Sequence, residues 1–168
     1  MMVLVTGGSG CGKSTWAERL ASESPIRRRY YVATMQVYDA ESERRVARHR
    51  AQRADKGFET IEQTKDLAAV DLEPGSLALL EDLPNLLANE MFDGGDPDRV
   101  LPALERLKQR CGLLIVVTND VFSDGLTYGE GTRDYMRRLA HIARGAARMA
   151  DAVVEVVYSI PVMLKGEL

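Results

Sequence analysis

Nine residues near the N-terminus, Gly7-Gly8-Ser9-Gly10-Cys11-Gly12-Lys13-Ser14-Thr15, constrain this chain more than any other stretch. They follow the apolar run Met2–Thr6 and precede a segment of helical periodicity. The spacing Gly7-x4-Gly12-Lys13-Ser14 therefore falls between a strand and a helix, as a phosphate-binding loop requires. Glycines let backbone N–H groups turn inward, and the helix start adds partial positive charge. Lys13 supplies a point charge to the outer phosphates and so joins the catalytic set, while the Ser14 hydroxyl suits magnesium. The whole run Gly7 to Thr15 is assigned to nucleotide binding. Cys11 contributes its backbone; the other reading makes it an oxidation-sensitive thiol near a helix start.

The rest of the chain alternates strand and helix. Continuous apolar runs occur at Met2–Thr6, Arg29–Ala33, Leu77–Leu80, Leu113–Thr118 and Ala152–Val157. Unbroken rather than alternating hydrophobicity suits strands buried on both faces, as in a parallel sheet. Helices are expected at Lys13–Ser22, after the cap pair Asp96-Pro97, and over Thr132–Ala150. In the last of these Tyr135, Leu139, Ile142, Ala146 and Met149 form the buried stripe, with arginines off it. The tail YSIPVMLKGEL reads as an edge strand beside Ala152–Val157. The expected fold is α/β and P-loop NTPase-like, mostly parallel and flanked by helices, with residues 1–168 as a single nucleotide-binding domain.

Composition excludes several partners. A formal charge of −3 leaves no footprint for nucleic acid. No apolar run approaches the roughly 20 residues that span a bilayer, and the N-terminus lacks the plan of a signal peptide. Cys11 and Cys111 are the two cysteines, too few for a disulfide framework and without metal-ligand spacing. A cytoplasmic protein is expected.

Two further stretches bear on chemistry. LALLED ends a strand in Glu81 and Asp82, at the end of a strand expected to neighbour the loop. One acid can serve the metal, and either can instead cap the following helix, DLPNLLANEMF. DAESERRVARHRAQR, residues 39–53, has Val46 as its one large aliphatic residue and reads as a projecting polar helix. His49 stands there among Arg48, Arg50 and Arg53. Guanidiniums around an imidazole favour its neutral, nucleophilic form and would neutralise a phosphate in transfer. The alternative is a solvated surface histidine.

Taken in order, these stretches resemble the bifunctional adenosylcobinamide kinase / adenosylcobinamide-phosphate guanylyltransferase family of cobalamin assembly. The residues that carry the resemblance are VTGGSGCGKSTWAE, YVATMQVYDAE, RVARHRAQR, FETIE, LLED, VTNDV and ADAVVEVVYSIPVMLKG, which cover essentially the full length. The resemblance implies phosphorylation of the aminopropanol hydroxyl of adenosylcobinamide by ATP or GTP. It further implies that GTP guanylylates a histidine, matched by His49, which passes GMP to the new phosphate. By the same match Thr34, Met35, Arg50, Arg53, Glu62 and Glu81 are nucleotide contacts, Ser14 and Glu81 hold Mg2+, and the subunits form a homotrimer.

Departures from the family pattern cluster in the second half. VTNDVFSDGLTYGEG has Asp120 for Glu and Phe122 for Gly; RDYMRRLAHIAR has Arg137 for Asp, Ala140 for Gly and Ala143 for Asn. They keep two other readings open: a kinase or nucleotidyltransferase for a different alcohol, and a nucleotide-dependent binding protein.

Overall fold

A computed structural model describes residues 1–36, 56–121 and 128–168. The expected polar helix of residues 39–53, with His49, Arg50 and Arg53, lies outside them.

The strands are β1 (Met2–Thr6), β2 (Arg29–Ala33), β3 (Phe58–Glu62), β4 (Leu77–Glu81), β5 (Leu113–Val117), β6 (Ala152–Val157) and β7 (Ile160–Lys165). They make one sheet in the order β3-β2-β4-β5-β1-β6-β7. All neighbours are parallel except β6 and β7, a hairpin. The helices are α1 (Lys13–Glu23), α2 (Leu83–Phe92), α3 (Val100–Arg110) and α4 (Glu130–Met149).

Strand parity sorts the core into two layers. Val3, Val5, Tyr31, Leu79, Ile115 and Val117 face α1 and pack on Trp16, Ala17 and Ala21. Leu4, Val32, Leu80, Leu114 and Val116 face the other way, onto α2, α3 and α4 through Leu86, Leu104, Leu139 and Ile142. The periodicity of α4 is as expected: Leu139, Ile142 and Ala146 are buried, while Arg137, Arg144 and Arg148 are exposed. The tail forms an exposed edge strand, also as expected.

Three expectations need correction. β3 was not among the expected strands; FETIE has only two large apolar residues and sits at the sheet edge with its side chains largely exposed, which erases the hydrophobic signal. β4 is not the neighbour of β1, because β5 lies between them. Asp96 does not start an α-helix; its side chain accepts from Asp98 N at 3.0 Å and caps a 3-10 turn, Pro97–Arg99, from which α3 follows.

Candidate nucleotide and phosphoryl-transfer site

The glycine loop is shaped by close contacts on both sides. At Gly7, φ is 150°, and a Cβ would stand 2.5 Å from the Val156 carbonyl oxygen and 2.7 Å from Cys11 Sγ. At Gly12, φ is 93°, and a Cβ would meet Ser159 Oγ at 2.5 Å. No other residue fits these two positions without a shift of backbone or turn. Within the loop Cys11 N donates to Gly8 O at 3.3 Å, and α1 begins with Trp16 N donating to Gly12 O at 3.0 Å. Gly8, Ser9, Gly10 and Thr15 are exposed. Lys13 is only 8% exposed, and its Nζ donates to Gly8 O at 3.2 Å, so the ammonium is held over the loop.

The two acids at the tip of β4 separate by parity. Leu77 and Leu79 face α1, and so does Glu81, which accepts hydrogen bonds from the Ser14 hydroxyl and from Tyr31 OH at 3.1 Å. Asp82 faces the other layer, where its Oδ1 accepts from Asn85 N at 2.9 Å and caps α2. Burial pushes the Glu81 carboxyl above the ordinary carboxylate range; the Ser14 and Tyr31 hydrogen bonds oppose that rise, and the charges of Asp82 and Glu18 add to it. Hydroxyl and carboxylate side by side at a phosphate loop are hard oxygen donors, a set that fits magnesium.

Thr34, Met35 and Glu62 lie on the far side of Glu81 from the loop. Ala33 is level with Glu81 on one side and with Glu62 on the other. At about 4.8 Å per strand, β3 and β1 each stand roughly 10 Å from β4, in opposite directions. Thr34 is buried, and its Oγ1 donates to Asp82 O and accepts from Asp82 N, both at 2.8 Å. Buried Asn89 ties this corner down by donating to Thr34 O at 2.8 Å and Thr64 O at 2.9 Å.

One residue was missed. Val117 faces α1, and the ladder from β5 to β1 continues beyond it, with Thr118 N on Val5 O at 2.9 Å and Asp120 N on Gly7 O at 3.1 Å. Asn119 therefore keeps strand parity and stands level with Gly7 on the α1 face, between loop and acid. Its buried Oδ1 has no hydrogen-bond partner among the described residues. The stretch VTNDV contains it, but only the pairing gives it a place.

On the other layer, α4 and the turn before α3 line a separate cleft with Asp98, Leu101, Arg137, Arg138 and His141. Arg138 pairs with Asp98 at 3.1 Å and Asp134 at 3.2 Å. Arg137, one of the departures in sequence, is thus a cleft residue.

The family model described as cobinamide kinase / cobinamide phosphate guanyltransferase matches residues 3–164. The bifunctional adenosylcobalamin biosynthesis protein CobP of Pseudomonas aeruginosa is 34% identical, with 99% of each chain covered. The corresponding CobU of Escherichia coli is 30% identical over 98% of this chain and 100% of its own. Among solved structures, the flagellar accessory protein FlaH of Methanocaldococcus jannaschii superposes with a TM-score of 0.50 at 13% identity, covering 99% of this chain and 78% of that one. A type III secretion ATPase from pathogenic bacteria gives 0.51 at 13% identity, covering 92% and 50%. At such identities the likeness shows the fold alone, that of P-loop ATPases. The relatives cover nearly the whole chain at 30% identity or above, and so the chain belongs to the cobinamide kinase / cobinamide phosphate guanyltransferase family.

Proposed function

We propose that this chain phosphorylates adenosylcobinamide and then transfers GMP to the product. The observation that carries the first step is the Ser14–Glu81 contact at the mouth of the loop, with Lys13 held beside it. In that step the aminopropanol oxygen bonds to the γ-phosphorus of ATP or GTP. The bond to the β–γ bridging oxygen breaks, the nucleoside diphosphate leaves, and the alcohol proton is lost to water. Lys13 neutralises the outer phosphates and loop N–H groups hold the remainder. Mg2+ on Ser14 and Glu81 would add charge neutralisation at the transferring group. Asn119 Oδ1, which has no hydrogen-bond partner among the described residues, offers an acceptor to the attacking hydroxyl.

In the second step the His49 imidazole attacks the α-phosphorus of GTP and pyrophosphate leaves. An oxygen of adenosylcobinamide phosphate then attacks the same phosphorus and frees the histidine. Thr34, Met35, Arg50, Arg53 and Glu62 are assigned to the nucleotide of this step by family match. The row Glu62–Ala33–Glu81 supports it, because it gives the sheet edge a second polar position apart from the loop. Both steps draw on cytoplasmic nucleotides. A homotrimer belongs to the same reading, and the apolar exposure of β7 at Ile160, Met163 and Leu164 supports association.

The test is an assay of purified protein with adenosylcobinamide and GTP that resolves the phosphate and GDP products separately. Both products are expected; absence of both, with nucleotide bound, would sink the proposal. The cleft bearing Arg137 favours one second reading, the same chemistry on another alcohol. Tight binding of adenosylcobinamide in a titration rules that reading out.

A further inference from the structure

The direction of a bound phosphate chain follows from where the acid lies, an inference that rests on the nucleotide reading above. Glu81 and Asn119 stand on the β4 and β5 side of the loop, while β6 and β7 lie on the other side of β1. The terminal phosphate belongs with Ser14 and Glu81, so the nucleoside leaves the loop over the hairpin of β6 and β7.

That hairpin is unusual at its tip. Val157 pairs with Ile160, which leaves a two-residue turn of Tyr158 at φ 49° and Ser159 at φ 65°. Such turns take glycine or asparagine, and a bulky side chain in the left-handed region is strained. The turn is pressed against the loop: Ser159 N donates to Cys11 O at 2.8 Å, and Ser159 Cα lies 3.3 Å from where a Gly12 Cβ would stand. Tyr158 is one peptide away, about 3.8 Å from Cα to Cα. It is 90% exposed at the rim of the loop. Strained residues persist where the surroundings hold them, and they gather at ligand clamps.

We propose that Tyr158 is the platform on which the base of the loop-bound nucleotide stacks. Its ring offers an open π-face on the side where the nucleoside emerges, and every base has a face to match. Stacking of this kind does not read the base edge, so the loop accepts ATP and GTP alike.

The test uses the full-length protein with magnesium and measures binding of GTP, ATP and inorganic tripolyphosphate to wild type and three variants. Tyr158→Ala and Tyr158→Asn are each expected to weaken both nucleotides about tenfold. Tyr158→Phe retains wild-type affinity, and tripolyphosphate binds equally to all four proteins. Asparagine tolerates the left-handed turn, so its variant separates ring from turn. Equal nucleotide affinity in Tyr158→Ala and wild type overturns the inference. So does a parallel loss for tripolyphosphate, which would mean a damaged loop, or a changed subunit state by sedimentation at unchanged affinity. If wild type binds neither nucleotide nor tripolyphosphate, the functional reading falls and takes the platform with it. Failure of the variants alone leaves that reading standing.

Discussion

The Ser14 hydroxyl donates to Glu81 although β1, the strand that leads into the loop and α1, is separated from β4 by β5. A residue in the first turn of α1 and the residue that ends β4 thus meet over the tip of an intervening strand. Replacing Ser14 with alanine removes the hydroxyl and leaves one side of the half-buried carboxyl group bare. Phosphorylation of adenosylcobinamide is expected to fall about a hundredfold or more, with folding intact by circular dichroism. Unchanged turnover would remove Ser14 from the site.

Glu81 gives a prediction in pH. Its carboxyl is raised, first by burial, above the ordinary value of 4.5. A group raised on folding contributes stability that is full below its unfolded pKa and is lost as pH rises through the folded one. Glu81→Gln has no such loss. The variant should be more stable than wild type at pH 8, with the gain closing toward pH 4, while phosphoryl transfer is abolished. Thermal melts across that range check the sign; a variant less stable at pH 8 would contradict it.

Asn119→Ala should lower kcat of the phosphorylation step roughly ten- to a hundredfold, with KM for the nucleotide little changed. A rise in nucleotide KM at constant kcat would place the residue on the phosphate chain instead of the acceptor.

Gly7→Ala puts a methyl group 2.5 Å from the Val156 carbonyl oxygen. A cost of about 1–3 kcal/mol is expected, together with loss of nucleotide binding. Gly8→Ala meets nothing within 4 Å and serves as the folding control. Equal urea midpoints for the two variants would refute the steric account.

His49 tests the second reaction. Labelled GTP should leave acid-labile, base-stable GMP on wild type and none on His49→Ala, which still forms adenosylcobinamide phosphate. Label retained on the variant would move the nucleophile elsewhere.

Asn89→Leu strips the donors from Thr34 O and Thr64 O inside the protein. Leaving buried carbonyls unpaired costs about 1–3 kcal/mol, readable as a lower urea midpoint. A midpoint at or above that of wild type would show that other donors take over.

What the sequence made legible depended on burial. β1, β4 and β5 announce themselves because both faces are covered and every position is apolar save Thr6 and Glu81 at the ends of β1 and β4. β3 shows no such run, since an edge strand can leave its side chains in water. Pattern alone leaves Glu81 and Asp82 equal, because adjacent acids differ only in the face to which the strand turns them; only the family resemblance singles out Glu81. Asn119 and Tyr158 lie in stretches that carry the family resemblance, but nothing there singles them out: one acquires its place from the ladder to Gly7, the other from a turn whose sequence is not that of a left-handed turn.

The placement of β1 sets the order in which the molecule can be completed. Its two neighbours, β5 and β6, begin at residues 113 and 152, so β1 is an interior strand whose partners on both sides follow it by more than a hundred residues. Ser159, which holds Cys11, arrives later still. Closure of long loops precedes every strand pairing that β1 makes, which favours slow, late assembly of the sheet. Without Ser159 the phosphate loop would lack the hydrogen bond that holds Cys11, so the shape of the nucleotide pocket depends on a hairpin nearly 150 residues further along the chain.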